Sequence, residues 1–213
     1  MLDHYPSKSL LKTKIETCPL CASSRVEYGF QVAGRRFNRC LDCELVSVTP
    51  FPHSDRDLMR SDLVDRSEKL SRPVHSRASF SFFLAKLRQH HTGVIGEVLM
   101  AGPRSRDLEK TLDSGGVKIV RADSDSPAQE SFDACVLLEI LGQNSHPCAQ
   151  LSLVHSLLNS GGMLVLTLPT LDSSRARKQE WGWQELETAR TVFFDTHSLS
   201  ALLVRFGFKD ISS

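Results

Sequence analysis

The chain has 213 residues, 40% of them hydrophobic and 24% charged, with a formal net charge of +1 at neutral pH. That is enough chain for one substantial core plus a small stapled module, and too little positive charge for a dedicated nucleic-acid binder. The longest apolar stretches, Val136 to Leu141 and Met163 to Leu168, are too short to cross a bilayer and have the length of buried strands.

The opening residues carry Lys8, Lys12 and Lys14 but no apolar run, so neither a signal peptide nor a membrane anchor is expected, and the chain reads as a soluble cytoplasmic protein. Cys18, Cys21, Cys40 and Cys43 then form two C-x2-C pairs at the spacing of a tetrahedral four-thiolate metal site. Zinc is the expected ion. A single iron is the alternative, because Cys18-Pro19-Leu20-Cys21 resembles a rubredoxin knuckle, a pattern that Cys40-Leu41-Asp42-Cys43 does not repeat. Two disulfides are the competing reading, and the lack of a secretory leader weighs against them. Four thiolates leave no open coordination position, so the ion is read as structural.

Between the pairs, Arg25 to Val32 alternates as a strand, Gly34 supplies a turn, and Arg36 to Arg39 returns; Leu45 to Val48 leaves the site as a strand stopped by Pro50 and Pro52. Residues 1–52 therefore read as a zinc ribbon, with Arg35, Arg36 and Arg39 taken as a solvated face. Residues 53–78 read as a linker or connecting helix, and Phe80, Phe83, Leu84 and Leu87 give Val74 to His91 the spacing of an amphipathic helix.

Residues 79–213 read as a second domain. Glu97 to Ala101 is a strand entering Gly102-Pro103, Arg104 to Leu112 a helix ended by Gly115-Gly116, and Val117 to Arg121 another strand. A polar loop through Asp123, Asp125 and Pro127 leads to a strand from Ala134 to Ile140. A helix from Pro147 to Leu158 is closed by Ser160-Gly161-Gly162, and Met163 to Leu168 is the next strand. An Arg-rich loop from Asp172 to Glu180 precedes Trp181 and Trp183, and Thr196 is read as the cap of a final helix that stops at Gly207. Alternating strands and helices predict an α/β fold, a parallel sheet flanked by helices.

The cysteine quartet running into Leu45-Val46-Ser47-Val48-Thr49-Pro50, the segment Ser131-Phe132-Asp133 to Leu141, the run from Leu157 through Gly161-Gly162 to Pro169, and the tail from Trp183 through Phe193-Phe194 to Gly207-Phe208 occur in the order of one family. The chain resembles class I S-adenosylmethionine-dependent methyltransferases with an N-terminal zinc-binding module, many of which act on sugars or other small metabolites. The resemblance implies a Rossmann-like sheet, here shortened, with S-adenosylmethionine as cofactor.

It also assigns residues. Gly102 stands at the cofactor turn. Met100 takes the place of the family's acidic residue, and Arg104 and Arg106 stand where further glycines are expected. Only about 30 residues separate Gly102 from Phe132, where two strands and two helices belong, so one βα unit is missing. Val117 to Asp123 resembles the third strand better than the second, which places Asp123 near the adenine and leaves no residue for the ribose; if it is the second strand, Asp123 is the ribose ligand. Glu139, at the mouth of the site, completes the cofactor set. Gly142-Gln143 stands where many relatives have a Glu-His pair, and Thr188-Ala189-Arg190 replaces a Pro-Glu-His, leaving no base, because arginine cannot accept a proton near neutral pH. His146, His155 and His197 lack an evident partner, and no catalytic residue is assigned.

Two functions follow as expectations. One is methyl transfer to a sugar or other small metabolite, with the Trp181 and Trp183 loop a candidate to stack a ring. The other is a degenerate relative that keeps the fold as a scaffold for a partner protein, as a homodimer or hetero-complex, through an open sheet edge left by the compressed middle and the absent final hairpin.

Overall fold

The computed structural model describes residues 17–49, 95–103, 106–122, 131–143, 147–188 and 190–212. The expected helix from Val74 to His91, the 53–78 linker, Arg104, Asp123 and His146 lie outside these described residues.

The described residues build two four-stranded sheets. In the first, β1 (Val26–Val32), β2 (Arg35–Cys40) and β3 (Val46–Thr49) form an antiparallel meander. Its hairpin turns through Ala33 and Gly34, both at positive φ (48° and 78°), as a two-residue turn matched to strand twist requires. The fourth strand of this sheet is β8 (Val192–Phe193), which arrives from the far end of the chain and pairs with β3 through Val46↔Phe193 and Ser47↔Val192.

The second sheet is wholly parallel: β4 (Glu97–Ala101), β5 (Lys118–Arg121), β6 (Phe132–Leu138) and β7 (Leu158–Thr167) lie in the order β5-β4-β6-β7. The doubly wound order 3-2-1-4-5-6 aligns with it when β4 is taken as the first strand. β5, joined to β4 through α1 (Arg106–Asp113), then holds the second place, and among the described residues no strand lies beyond it. The register Met100↔Arg121 thus puts β5 directly beside β4, in the place of the second strand and not of the third, which the residue pattern resembles better.

The strand alternation divides the core. Val98, Met100, Ala134, Val136 and Leu138 face Leu108 and Leu112 of α1, while Leu99, Ala101, Cys135 and Leu137 face the other side with Val154 of α2 (Pro147–Leu157). Asp133 pins the opposite ends of these strands: its carboxylate accepts from the backbone N–H of Gly96 (2.8 Å) and Glu97 (3.1 Å) and from Asn159 Nδ2 (2.9 Å). The α2 helix ends at Leu157 and passes straight into pairing, Leu158 with Phe132. The pairing then skips to Met163 with Ala134, so residues 159–162 bulge out around Gly161, at φ 76°.

After α3 (Ser174–Gln179) come two short 3-10 turns, Glu180–Gly182 and Gln184–Glu187. The last helix, α4 (Thr196–Arg205), is capped by Asp195 and not by Thr196. The Asp195 carboxylate accepts from the Ser198 N–H (2.7 Å) and the Ser198 hydroxyl from the Asp195 N–H (3.1 Å), a reciprocal capping box.

The ribbon and the parallel sheet share one core. Leu20, Val26 and Leu45 of the ribbon pack with Leu141, Leu151, Val192, Phe194, Leu202 and Leu203. Segments that are separate along the sequence, 17–49 and the described residues from 141 on, are therefore joined by buried apolar contact and by a common sheet.

Candidate metal centre and cofactor face

The four predicted ligands converge. The sulfurs of Cys18, Cys21, Cys40 and Cys43 all lie within 4.8 Å of one another, with Cys18 to Cys43 at 3.5 Å and Cys21 to Cys40 at 3.6 Å. A tetrahedron of Zn–S bonds near 2.3 Å has sulfur–sulfur edges of about 3.8 Å, whereas a disulfide bond is about 2.05 Å, so the arrangement fits an ion and not two disulfides.

The backbone makes two matched knuckles even though their sequences differ. In each, the residue after the second cysteine, Ala22 or Glu44, sits near φ 60° and donates its N–H to the carbonyl of Cys18 (2.9 Å) or Cys40 (3.0 Å). The first cysteine of each pair donates in turn to the carbonyl five residues on, Cys18 to Ser23 (2.8 Å) and Cys40 to Leu45 (2.9 Å). The sequence asymmetry reflects their surroundings. Leu20 is buried, its carbonyl accepting from Arg205 of α4 (2.8 Å), while Leu41 is exposed. The hydrogen bond from Cys43 brings the Cys18 thiol down to about 5 against the opposing effect of burial, and the same bond together with burial pushes Cys43 up. Cys135 takes no part: burial alone pushes it up to about 12, and it is a core residue.

The face expected to take the cofactor is the C-terminal edge of the parallel strands. Gly102 and Glu139 both lie at that edge, one residue beyond β4 and β6 respectively. Gly102 has φ 102°, and a Cβ built on it would fall 2.0 Å from the Leu138 carbonyl oxygen, so the glycine is required by the close approach of β6. Its own carbonyl accepts from Arg121 Nη2 (2.5 Å). Met100, in the place of the family's acidic residue, is fully buried against α1.

Glu139 is held at φ 60° by its N–H donating to the Thr167 carbonyl (2.8 Å), and its carboxylate pairs with the guanidinium of Arg190. Arg190 is 2% exposed, reaches Glu185 as well (3.3 Å), and donates to the Leu141 carbonyl (3.3 Å). Removing the cation strands a largely buried carboxylate. Arg190→Met is therefore expected to lower unfolding free energy by about 3–5 kcal/mol in urea titration, with part regained in the Arg190→Met, Glu139→Gln double variant. Wild-type stability in the single variant would refute the pairing.

The arginine expected on a solvated face is one of the residues that build this corner. Arg35 is half-buried; its guanidinium sits 5.4 Å from the Phe37 ring centroid and donates to the carbonyls of Leu186 (2.6 Å), Thr188 and Arg190. Burial lowers its pKa, yet it stays cationic. Nothing in the local sequence distinguishes Arg35 from Arg36. Of the two tryptophans, Trp183 is buried beside Phe193 and belongs to the core, while Trp181 is 56% exposed and leans on Phe30 (4.7 Å between centroids).

A family model described as a methyltransferase domain matches residues 63–213. Among solved structures, a SAM-dependent methyltransferase from Thermotoga maritima, described as a possible histamine N-methyltransferase, is similar at 18% identity, with 63% of this chain and 72% of that chain covered and a TM-score of 0.42. No curated protein matches the chain.

Proposed function

The chain belongs to the methyltransferase-domain family, and from that premise we propose that it uses the fold as a metal-stapled binding scaffold for a partner protein or a second copy of itself. The observation that carries this reading is the buried Arg190–Glu139 pair. It places a permanent cation at the position the family pattern gives to a base, and it engages the carboxylate at the end of β6. The remaining residues of the face do not fit the methionine end of S-adenosylmethionine either. Met100 is in the core, Leu138 covers Gly102, and the Gly102 carbonyl is bound by Arg121.

The metal fits its four cysteines as a structural crosslink, zinc by preference, with no open position for chemistry. Docking is supported by β7, which among the described residues lies at the edge of its sheet, with Met163 to Leu168 only half-buried. The cytoplasm is the proposed location; among the described residues no helix is long and apolar enough to cross a membrane.

A second reading, methyl transfer to a sugar or other small metabolite, is favoured by the second-strand place of β5. Asp123, two residues past the end of that strand, then comes from the stretch that supplies the family's ribose carboxylate, and methyl transfer depends more on positioning than on a base. Titration calorimetry of metal-loaded protein with S-adenosylmethionine and S-adenosylhomocysteine separates the two. The scaffold reading expects no saturable heat up to about 1 mM ligand. A dissociation constant tighter than about 0.1 mM would reject it in favour of the enzyme.

A further inference from the structure

We propose that the metal centre and the cofactor face are one coupled unit, in which Arg35 is the positioning residue that transmits the folded state of the ribbon to Arg190 and Glu139. Besides the shared apolar core and the Leu20 carbonyl held by Arg205, three polar connections lead from the ribbon sheet towards Glu139, and they run through residues 186–193. Arg35, at the start of the strand that ends in Cys40, holds the carbonyls of Leu186, Thr188 and Arg190. Thr191 lies between the sheets: its carbonyl accepts from Val48 N–H of β3 (2.9 Å), and its own N–H donates to the Gly142 carbonyl beyond β6 (2.7 Å). The β3–β8 pairing then fixes Val192 and Phe193.

The segment so held carries Arg190, whose guanidinium pairs with the carboxylate of Glu139, a non-glycine residue in the left-handed conformation. Gly142 shows how tight the contact is, since a Cβ there would fall 2.8 Å from the Val192 carbonyl. The sheet interior has its own support, β4 and β6 being packed on α1 and α2. Loss of the metal therefore loosens the corner at 139–143 and 186–193 without loosening the centre of the parallel sheet.

The inference rests on the metal reading for one arm of its test only. Hydrogen exchange is followed by mass spectrometry on the full chain in three forms: metal-loaded, chelator-stripped, and metal-loaded Arg35→Met. In the stripped protein, amides of 26–40 should exchange faster, and those of 139–143 and 186–193 should accelerate on the order of tenfold, while those of 98–101 and 134–138 do not change. Arg35→Met should reproduce the acceleration at 139–143 and 186–193 while keeping its metal, and Arg35→Lys, with one ammonium for three carbonyls, should reverse it only in part. Unchanged exchange at 139–143 in Arg35→Met would overturn the proposal, as would a uniform acceleration through 98–101 and 134–138. If the purified chain holds no metal, the metal reading fails, and the Arg35 variants still decide whether the strap positions the corner.

Discussion

Cys40→Ser is expected to abolish stoichiometric metal binding and to cost the protein more stability than any surface change. Cys40 is buried, ends β2, and is one of four sulfurs that lie within 4.8 Å of one another. Its removal leaves three sulfurs, of which Cys18 is also buried, that no longer complete a tetrahedral site, so the crosslink between the two knuckles is lost. Because the site does not exist in the unfolded chain, the free energy of metal binding is folding free energy, so a loss of about 5 kcal/mol or more is expected. The effect should extend beyond the ribbon, since Leu20, Val26 and Leu45 share a core with α2 and α4. Elemental analysis of the wild type should find about one zinc per chain and of the variant nearly none, and the melting temperature should fall. A wild type that purifies without metal and melts at the same temperature as the variant would show that the quartet holds no ion.

Gly102→Ala should be nearly as damaging, through packing alone. The new methyl group would lie 2.0 Å from the Leu138 carbonyl oxygen and 2.9 Å from its carbon, in the centre of a parallel sheet where neither strand can retreat. Added to this is the cost of φ 102° for a residue with a Cβ, and together they should exceed about 4 kcal/mol. Gly116→Ala is the control: it too has positive φ, 75°, but nothing lies within 4 Å, so only the backbone cost of about 1 kcal/mol remains. Urea titrations that place the two variants at equal stability would mean that β6 does not cross Gly102 as described. A larger residue at Gly102 is therefore a test of folding, and it cannot report on cofactor binding as the sequence pattern suggests.

The metal centre was legible because its chemistry is local. Two C-x2-C pairs force two tight turns, and a tetrahedral ion closes them whatever lies outside, so spacing alone identifies Cys18, Cys21, Cys40 and Cys43. The parallel strands were legible for a similar reason, each being a short apolar run with turn residues at its ends. The end of α2 and the cap of α4 were misplaced by one to a few residues, since Leu158 pairs with Phe132 before the glycines are reached and Asp195 offers the better capping carboxylate. The corner around Glu139 was not legible in the same way. Its replacement of a histidine by Arg190 is a visible departure, but that Arg190 would be buried on Glu139, and Arg35 on carbonyls 151 and 153 residues further along, depends on contacts between distant segments.

The amino-acid order alone thus settled the cysteine quartet, the α/β alternation and membership of a methyltransferase lineage, all of which depend on neighbours within a turn, a hairpin or one strand–helix unit. Tertiary structure alone decided that β5 takes the second place beside β4, that β8 joins the ribbon sheet, and that Arg190 is held by Arg35 at its carbonyl and pairs with Glu139 through its guanidinium. The physical reason is that strand register and buried ion pairs are chosen by packing across the whole chain, where a charged side chain is indistinguishable from a solvated one until the groups that desolvate it are in place.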